Sequence, residues 1–259
     1  MNHALSDSNY WDDIYVRGRR KYTYPDLKGN RFHIKLSRLL RKHLKRGSNA
    51  LEIGCGGSIW LPYLMNKFGC HVTGIDFSEE GLKKAEEHLK PVGNNYELHL
   101  MDFLKPDERL FSKFDMLFSL GVIEHFENPS ELIKIFKQFL KPDGLMITWV
   151  PNTAGLIMKL QKFADIEIYE RHKAFDFETF MKYHTGNGLE IVEASPIRFM
   201  DLSMINIYRL PIIQYKIITN IAKIVNIPFL WLEKYLGYYL KSEYLSASLY
   251  AITRRTEDN

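Results

Sequence analysis

The residues of this chain best able to do chemistry are acids that end short apolar runs, together with a glycine turn beside them. Glu52 stands inside the run Leu51-Glu52-Ile53, and Gly54-Cys55-Gly56-Gly57 follows directly. Closely spaced glycines let the chain turn with positive φ and let a ligand approach bare backbone. The segment Ile59-Trp60-Leu61-Pro62-Tyr63-Leu64 then reads as a helix, whose free N–H groups point at whatever lies over the turn. Asp76 comes roughly twenty residues after the turn, where a carboxylate can accept both hydroxyls of a ribose. Asp102, followed by Phe103, suits an adenine, the acid taking the exocyclic amine while an apolar ring packs the base. Each aspartate alone would serve as well as a turn cap. Together with the glycine turn they describe a nucleoside site.

Converging these groups requires strands that all end on one edge. Short apolar runs do alternate with helical stretches: strands are expected at about Ala50–Gly54, Cys70–Asp76, Tyr96–Met101, Phe114–Leu120 and Leu145–Val150. Ser78 can cap the helix after the second, with Glu79 and Glu80 in its first turn. Asn128-Pro129-Ser130-Glu131 is a second helix start, and Pro142-Asp143-Gly144 turns the chain into the fifth strand. This rhythm specifies a parallel sheet covered on both faces. Right-handed crossovers place every strand's C-terminal end on the same edge, where open sheets bind their ligands. Ahead of the sheet, Ile34, Leu36, Leu39, Leu40 and Leu44 recur at helical spacing over about Asn30–Lys45, with Gly47 as its stop. Tyr10 and Trp11 read as packing anchors, and Arg17-Gly18-Arg19-Arg20-Lys21 as a solvated basic surface.

Composition narrows the class. The 259 residues are 46% hydrophobic and 25% charged with a net charge of +4, which suits a globular chain and does not suggest a nucleic-acid partner. Cys55 and Cys70 are too few for a disulfide framework, so a reducing cytoplasm is expected. The start Met1-Asn2-His3-Ala4-Leu5-Ser6-Asp7 lacks a secretion signal's basic start and apolar core. No apolar run reaches the ~18 residues that a membrane span needs.

The kind of nucleoside is read from two departures. A dinucleotide turn commonly carries a third glycine, and here Ile59 stands in its place; Glu52 would repel a pyrophosphate but welcome a cation such as an α-ammonium group. A nicotinamide oxidoreductase is disfavoured on both counts. The motif order resembles the class I S-adenosylmethionine-dependent methyltransferases over about residues 48 to 152. Their successive motifs look like Leu51–Gly56, the strand ending at Asp76, Asp102-Phe103, Phe114–His125 and the turn Leu140-Lys141-Pro142-Asp143-Gly144.

The resemblance implies an α/β, doubly wound, seven-stranded and mostly parallel sheet whose last strand is antiparallel. Leu189–Ala194 and Ser246–Ile252 would be strands six and seven. It implies an N-terminal helical segment over 1–47, a cofactor-binding unit over 48–198 and 244–256, and a helical insertion over 199–243. The cofactor, S-adenosylmethionine, would be held by Glu52, Gly54, Cys55, Gly56, Asp76, Phe77, Asp102, Phe103, Ser119 and Leu120. His125 would be the base, with Glu124 orienting it or capping the next helix, and His172 a second base or a substrate contact. No magnesium-binding set of acids can be assembled, so no metal is expected. Ser119-Leu120-Gly121-Val122 lacks the Asn/Asp-Pro-Pro-Tyr/Phe run of enzymes that methylate base amines. Further similarity to bacterial methyltransferases of polysaccharide and natural-product pathways makes a hydroxyl of a sugar or small metabolite the expected acceptor. A lipid or quinone acceptor, or a catalytically silent binding module, are the alternatives.

About fifty residues separate strands six and seven, long for a hairpin and placed to roof the site. Ile213, Ile217, Ile221 and Ile224 form one helical stripe, and after Pro228 an aromatic-rich second segment holds Phe229, Trp231, Tyr235, Tyr238 and Tyr239. Three readings stay open here: packing on the sheet, a substrate lid, or contact with a membrane surface through 203–240. The oligomeric state is not expressed in these patterns.

Overall fold

The computed structural model describes residues 4–17, 23–186, 188–207 and 210–256. Most of the basic run, Gly18 to Lys21, lies outside the described residues. Two helices precede the sheet. Helix α1 (Ser8–Arg17) falls in the helical segment expected over 1–47, though no periodicity marked its bounds; Asp7 caps it by accepting the Tyr10 N–H at 2.9 Å. Helix α2 (Arg31–His43) starts where Asn30 accepts the His33 N–H, and it buries Ile34, Leu36, Leu39 and Leu40.

The alternating core follows: β1 (Asn49–Ile53), α3 (Trp60–Phe68), β2 (His71–Asp76), α4 (Glu79–Leu89), β3 (Tyr96–Leu100), β4 (Phe114–Leu120), α5 (Pro129–Phe139) and β5 (Leu140–Pro151). Ser78 caps α4 and Asn128 caps α5, as their positions foretold. Two short helices, α6 (Leu156–Ala164) and α7 (Ile166–Glu170), occupy a stretch with no expected element, and Asp176 caps α8 (Phe177–Tyr183). Strand β6 (Leu189–Phe199) runs five residues past its expected end at Ala194, through a bulge at Ile191/Glu193. Helix α9 (Ile212–Trp231) and β7 (Ser246–Arg255) complete the chain.

The seven strands stand in the order β3-β2-β1-β4-β5-β7-β6, with β7 antiparallel to both neighbours and the other pairings parallel. Successive residues of a strand point to opposite faces, and both faces are filled. Ala50, Met116, Phe118 and Ile147 join the helices α2 and α3 in one core, while Leu51, Ile53, Leu117 and Met146 join α5 and α8 in the other. Each fully buried Leu or Phe contributes about 1.5–3 kcal/mol. That double-sided burial fixes the register of β1, β2 and β4, and so places their last residues side by side.

The insertion departs from expectation at Pro228. One helix continues through it, although Pro228 has no N–H to offer the carbonyl four residues back. A π-helical turn, Leu232–Leu236, follows and Gly237, at φ 65°, ends it. The isoleucine stripe does not pack on the sheet: Ile213, Ile217, Ile221 and Ile224 are 51–70% exposed. No helix among the described residues is long and apolar enough to cross a membrane.

Candidate active site

At the end of β1 the chain bends at Gly54, with φ +76° and an ideal Cβ position 2.4 Å from Val122 Cγ2, so both backbone and space require glycine. The bend is tied to β2. Gly54 N–H donates to the Ile75 carbonyl at 2.8 Å, and Gly56 N–H to Asp76 Oδ2 at 2.7 Å. The other oxygen of Asp76 accepts the Ser78 N–H at 2.8 Å. Burial raises the Asp76 carboxyl to about 6, against the lowering pull of those N–H groups. Ser58 joins Glu52 to the following helix: its hydroxyl bonds the Glu52 carboxylate and accepts the N–H groups of Trp60 and Leu61 at 3.0 and 3.1 Å. That serine was missed by the sequence reading, although a serine ahead of an apolar run is a capping signal.

A cavity of about 600 Å³ opens over this edge. Of the residues expected there, Glu52, Gly54, Gly56, Asp76, Phe77, Phe103, Leu120 and His125 line it. Phe77 and Phe103 meet edge to face at 5.4 Å. Five others stand off the wall. Asp102 is exposed and outside the cavity lining, and its Oδ1 accepts the Leu104 N–H at 3.0 Å, which closes its own turn. Cys55 is fully buried beneath the bend, its sulfur against Gly74, so only its backbone belongs to the turn. Ser119 is buried below Leu120, and its Oγ finds no partner among the described residues. Glu124 and His172 lie behind His125, outside the cavity lining.

These last three form one polar knot. A short 3₁₀ turn, Ile123–His125, presents the His125 ring, whose Nδ1–H donates to the Arg171 carbonyl at 2.8 Å. That bond leaves Nε2 with its lone pair. The His172 ring centroid is 4.6 Å away, and its Nδ1–H donates to the Ile168 carbonyl at 2.7 Å. Glu124 Oε1 lies 4.0 Å from His125 Nε2, while Glu124 Oε2 has no partner among the described residues. Asn128 caps α5 itself, so Glu124 is not that cap. Burial, with a further push from His172, drives the His125 imidazole down to about 3, and burial drives the Glu124 carboxyl up to about 8. At neutral pH the carboxyl therefore keeps its proton and the imidazole is uncharged. One atom each of Glu124, His125 and His172 lies within 4.8 Å of the others, a grouping able to hold a divalent cation.

The far wall comes partly from the N-terminal segment and the end of β6, and partly from α2, α3 and β5. Trp11 of α1 lines the cavity, its indole edge on the His125 ring at 5.1 Å and its Nε1–H on Ser6 Oγ at 3.1 Å, so it is more than a packing anchor. Tyr10 is an anchor as expected, with the Arg171 guanidinium 4.0 Å above its ring. Backbone bonding holds the N-terminal segment here, where Leu5 N–H donates to the His125 carbonyl at 2.7 Å. Phe32, Trp60 and Trp149 supply an aromatic side, Phe32 lying 4.8 Å from Trp149 and 6.1 Å from Trp60. Trp149 Nε1 is buried without a partner among the described residues. His33 accepts the Asp26 N–H on Nδ1 at 2.8 Å, which puts the proton on Nε2. Arg198 completes the wall beyond the end of the expected strand six, at φ 63° and paired with Asp201 at 2.7 Å.

Residues 28–194 match the family model described as a methyltransferase domain, which is more than half of the chain. The chain belongs to this methyltransferase family. Sheet order and ligand edge agree with it: this is a class I S-adenosylmethionine-dependent methyltransferase domain. The methyltransferase is 36% identical over 109 residues to the ubiquinone biosynthesis O-methyltransferase of Pasteurella multocida, covering 39% of this chain and 45% of that one. It is 34% identical over 142 residues to the protein of the same name from Glaesserella parasuis, covering 52% and 60%. The chain thus spans about half the length of the curated relatives it matches. Among solved structures, the N-methyltransferase NodS of Bradyrhizobium japonicum with bound S-adenosylhomocysteine matches at TM-score 0.59 and 17% identity, over 97% of this chain and 100% of that one. The [4+2]-cyclase SpnF matches at 0.62 and 13%, over 97% and 96%. One fold carrying a cyclase and an N-methyltransferase leaves the acceptor to be argued from the site.

Proposed function

We propose that this domain methylates a hydroxyl oxygen of an aromatic-ring acceptor, of the kind from which quinones are made. The observation that carries the reading is the aromatic wall of Phe32, Trp60 and Trp149, which lines the same cavity as the glycine bend and Asp76 and offers apolar ring surface to an aromatic acceptor. The name of the relatives in Pasteurella multocida and Glaesserella parasuis supports the same acceptor class.

S-adenosylmethionine, when bound, supplies a methyl group ready for displacement from its sulfonium. The residues that would hold it are the Gly54–Gly56 bend, Asp76 for the ribose, Phe77 and Phe103 for the base, and Glu52 for the ammonium end. They fit, since a buried carboxylate on two backbone N–H groups keeps further lone pairs for hydroxyls. The chain's own part is positioning and proton removal. With that group bound, an acceptor oxygen would take the methyl as the sulfonium leaves as a thioether, and His125 Nε2 would accept the hydroxyl proton. The Arg171 carbonyl sets that tautomer and keeps the Nε2 lone pair free to accept the hydroxyl's hydrogen bond. His172, set behind His125, supports the ring and does not take a second base's place at the substrate.

A sugar or small hydroxylated metabolite is the second reading, favoured by the polar groups Asn30, His33, Arg198 and Ser203 on the same wall. A panel assay separates the two. The protein is incubated with S-adenosylmethionine and either short-chain prenylated catechols or free sugars, and products are read by mass spectrometry. O-methylated catechol is the expected product; methylated sugar with no methylated catechol would overturn the first reading in favour of the second.

A further inference from the structure

Helix α9 is turned inside out relative to an ordinary surface helix. Its inward stripe, at helical spacing, is Ala222, Asn226, Phe229 and the following Glu233, two of them polar and held by hydrogen bonds. Asn226 donates to Asp201 Oδ1 at 2.8 Å and accepts from Arg31 Nη1 at 3.2 Å, while Arg31 Nε donates to Glu233 Oε2 at 2.8 Å. Arg38 adds a bond to the Lys234 carbonyl at 2.6 Å. The opposite side carries Ile213, Ile217, Ile221, Ile224, Ile227 and Trp231, each more than half exposed. A twenty-residue helix with an outward apolar face some 30 Å long marks a surface that something covers.

Charge identifies the occupant. Between Leu210 and Lys241 the chain has one acid, Glu233, and it is buried against Arg31. Lys216 and Lys223 are exposed and stand two turns apart, in one rank along the flank of the isoleucines. Trp231 and Tyr235 sit at the end of the stripe, the residue types that settle at a lipid–water interface. We propose that this outward face of α9 lies flat on an anionic lipid surface, with the isoleucines among the acyl chains and the lysines at the headgroups. A second copy of the chain packed antiparallel on this face fits less well, since that two-fold contact would bring the two lysine ranks together.

The placement gives the contact a use. The inner residues of α9 are bonded to Arg31 and Asp201, neighbours of the cavity-lining Asn30, Phe32 and Ser203. The lipid-facing helix therefore stands one layer from the acceptor wall. Through that layer an acceptor with an apolar tail could reach the cavity without leaving the lipid. This last point rests on the proposed function; the docking itself does not.

The test is flotation of the whole chain with vesicles of phosphatidylcholine alone or with about one-third phosphatidylglycerol. Binding to the anionic vesicles, weakened by salt, is expected. In the double variant Ile217→Asp/Ile224→Asp that binding should fall about tenfold or more, and Lys216→Glu/Lys223→Glu should lower it on anionic vesicles only. Titration with S-adenosylhomocysteine reads the cofactor site separately and should be unchanged in both variants, which also shows that they fold. Absence of flotation with either vesicle would overturn the proposal, as would flotation unaffected by the isoleucine variant. A concentration-dependent dimer that the isoleucine variant abolishes would assign the face to a second copy instead.

Discussion

His125 donates its Nδ1–H to the carbonyl oxygen of Arg171 at 2.8 Å, and this one bond leaves Nε2 as the ring nitrogen with a free lone pair. Replacing His125 with Asn removes the proton acceptor without emptying the cofactor edge. Turnover should drop about 10²-fold or more while S-adenosylhomocysteine affinity stays within about a factor of two. Full-rate turnover in this variant would make the imidazole a structural group.

Acid sensitivity should come from Asp76 and not from His125. The imidazole, held down to about 3, stays neutral across the working range, whereas the Asp76 carboxyl, raised to about 6, takes up a proton as the pH falls through that value. A protonated Asp76 loses acceptor capacity for the ribose, so S-adenosylhomocysteine affinity should weaken below about pH 6 and level off above about pH 7. Stability of the ligand-free fold moves the other way. A carboxyl raised above its unfolded value contributes stability that is present below about pH 4 and lost as the pH rises through about 6. Calorimetric titration over this range checks the first trend, and Asp76→Asn should flatten it.

Asp102 provides the matching control. Its carboxylate is exposed and turned to its own loop, so Asp102→Ala should change S-adenosylhomocysteine affinity by no more than about 0.5 kcal/mol. A loss as large as that at Asp76 would return Asp102 to the ligand.

The bend at Gly54 combines a left-handed backbone with a Cβ position 2.4 Å from Val122. Gly54→Ala should cost on the order of 1–3 kcal/mol in urea unfolding. Adding Val122→Ala relieves the contact but not the φ, so only part of the loss should return; full recovery would assign the whole cost to the clash.

Much of the nucleotide edge was legible in the sequence because its causes are local. Glycines after an apolar run, an acid at the end of the next strand and an aromatic after the third all act through backbone geometry within a few residues, and Gly54, Asp76 and Phe103 do line the cavity. Asp102 shows the ambiguity of such a signal, since an acid before a turn satisfies its own loop as readily as a ligand. Trp11 and Arg198 depend on contacts across more than a hundred residues or on strand β6 running past Ala194, and no periodicity encodes either. In the insertion the isoleucine period was legible but its direction was left open. The pattern alone does not say which face is inward; the pairing of Arg31 with Glu233 does.

The joint burial of the Gly54 bend, Asp76 and the two phenylalanines in one cavity is tested most directly by titration calorimetry of the intact chain with S-adenosylhomocysteine and, separately, with NAD. Stoichiometric binding of S-adenosylhomocysteine is expected, weakened by about 1–3 kcal/mol in Asp76→Ala, with no heat from NAD. Binding of NAD alone, or S-adenosylhomocysteine affinity indifferent to Asp76, would contradict it.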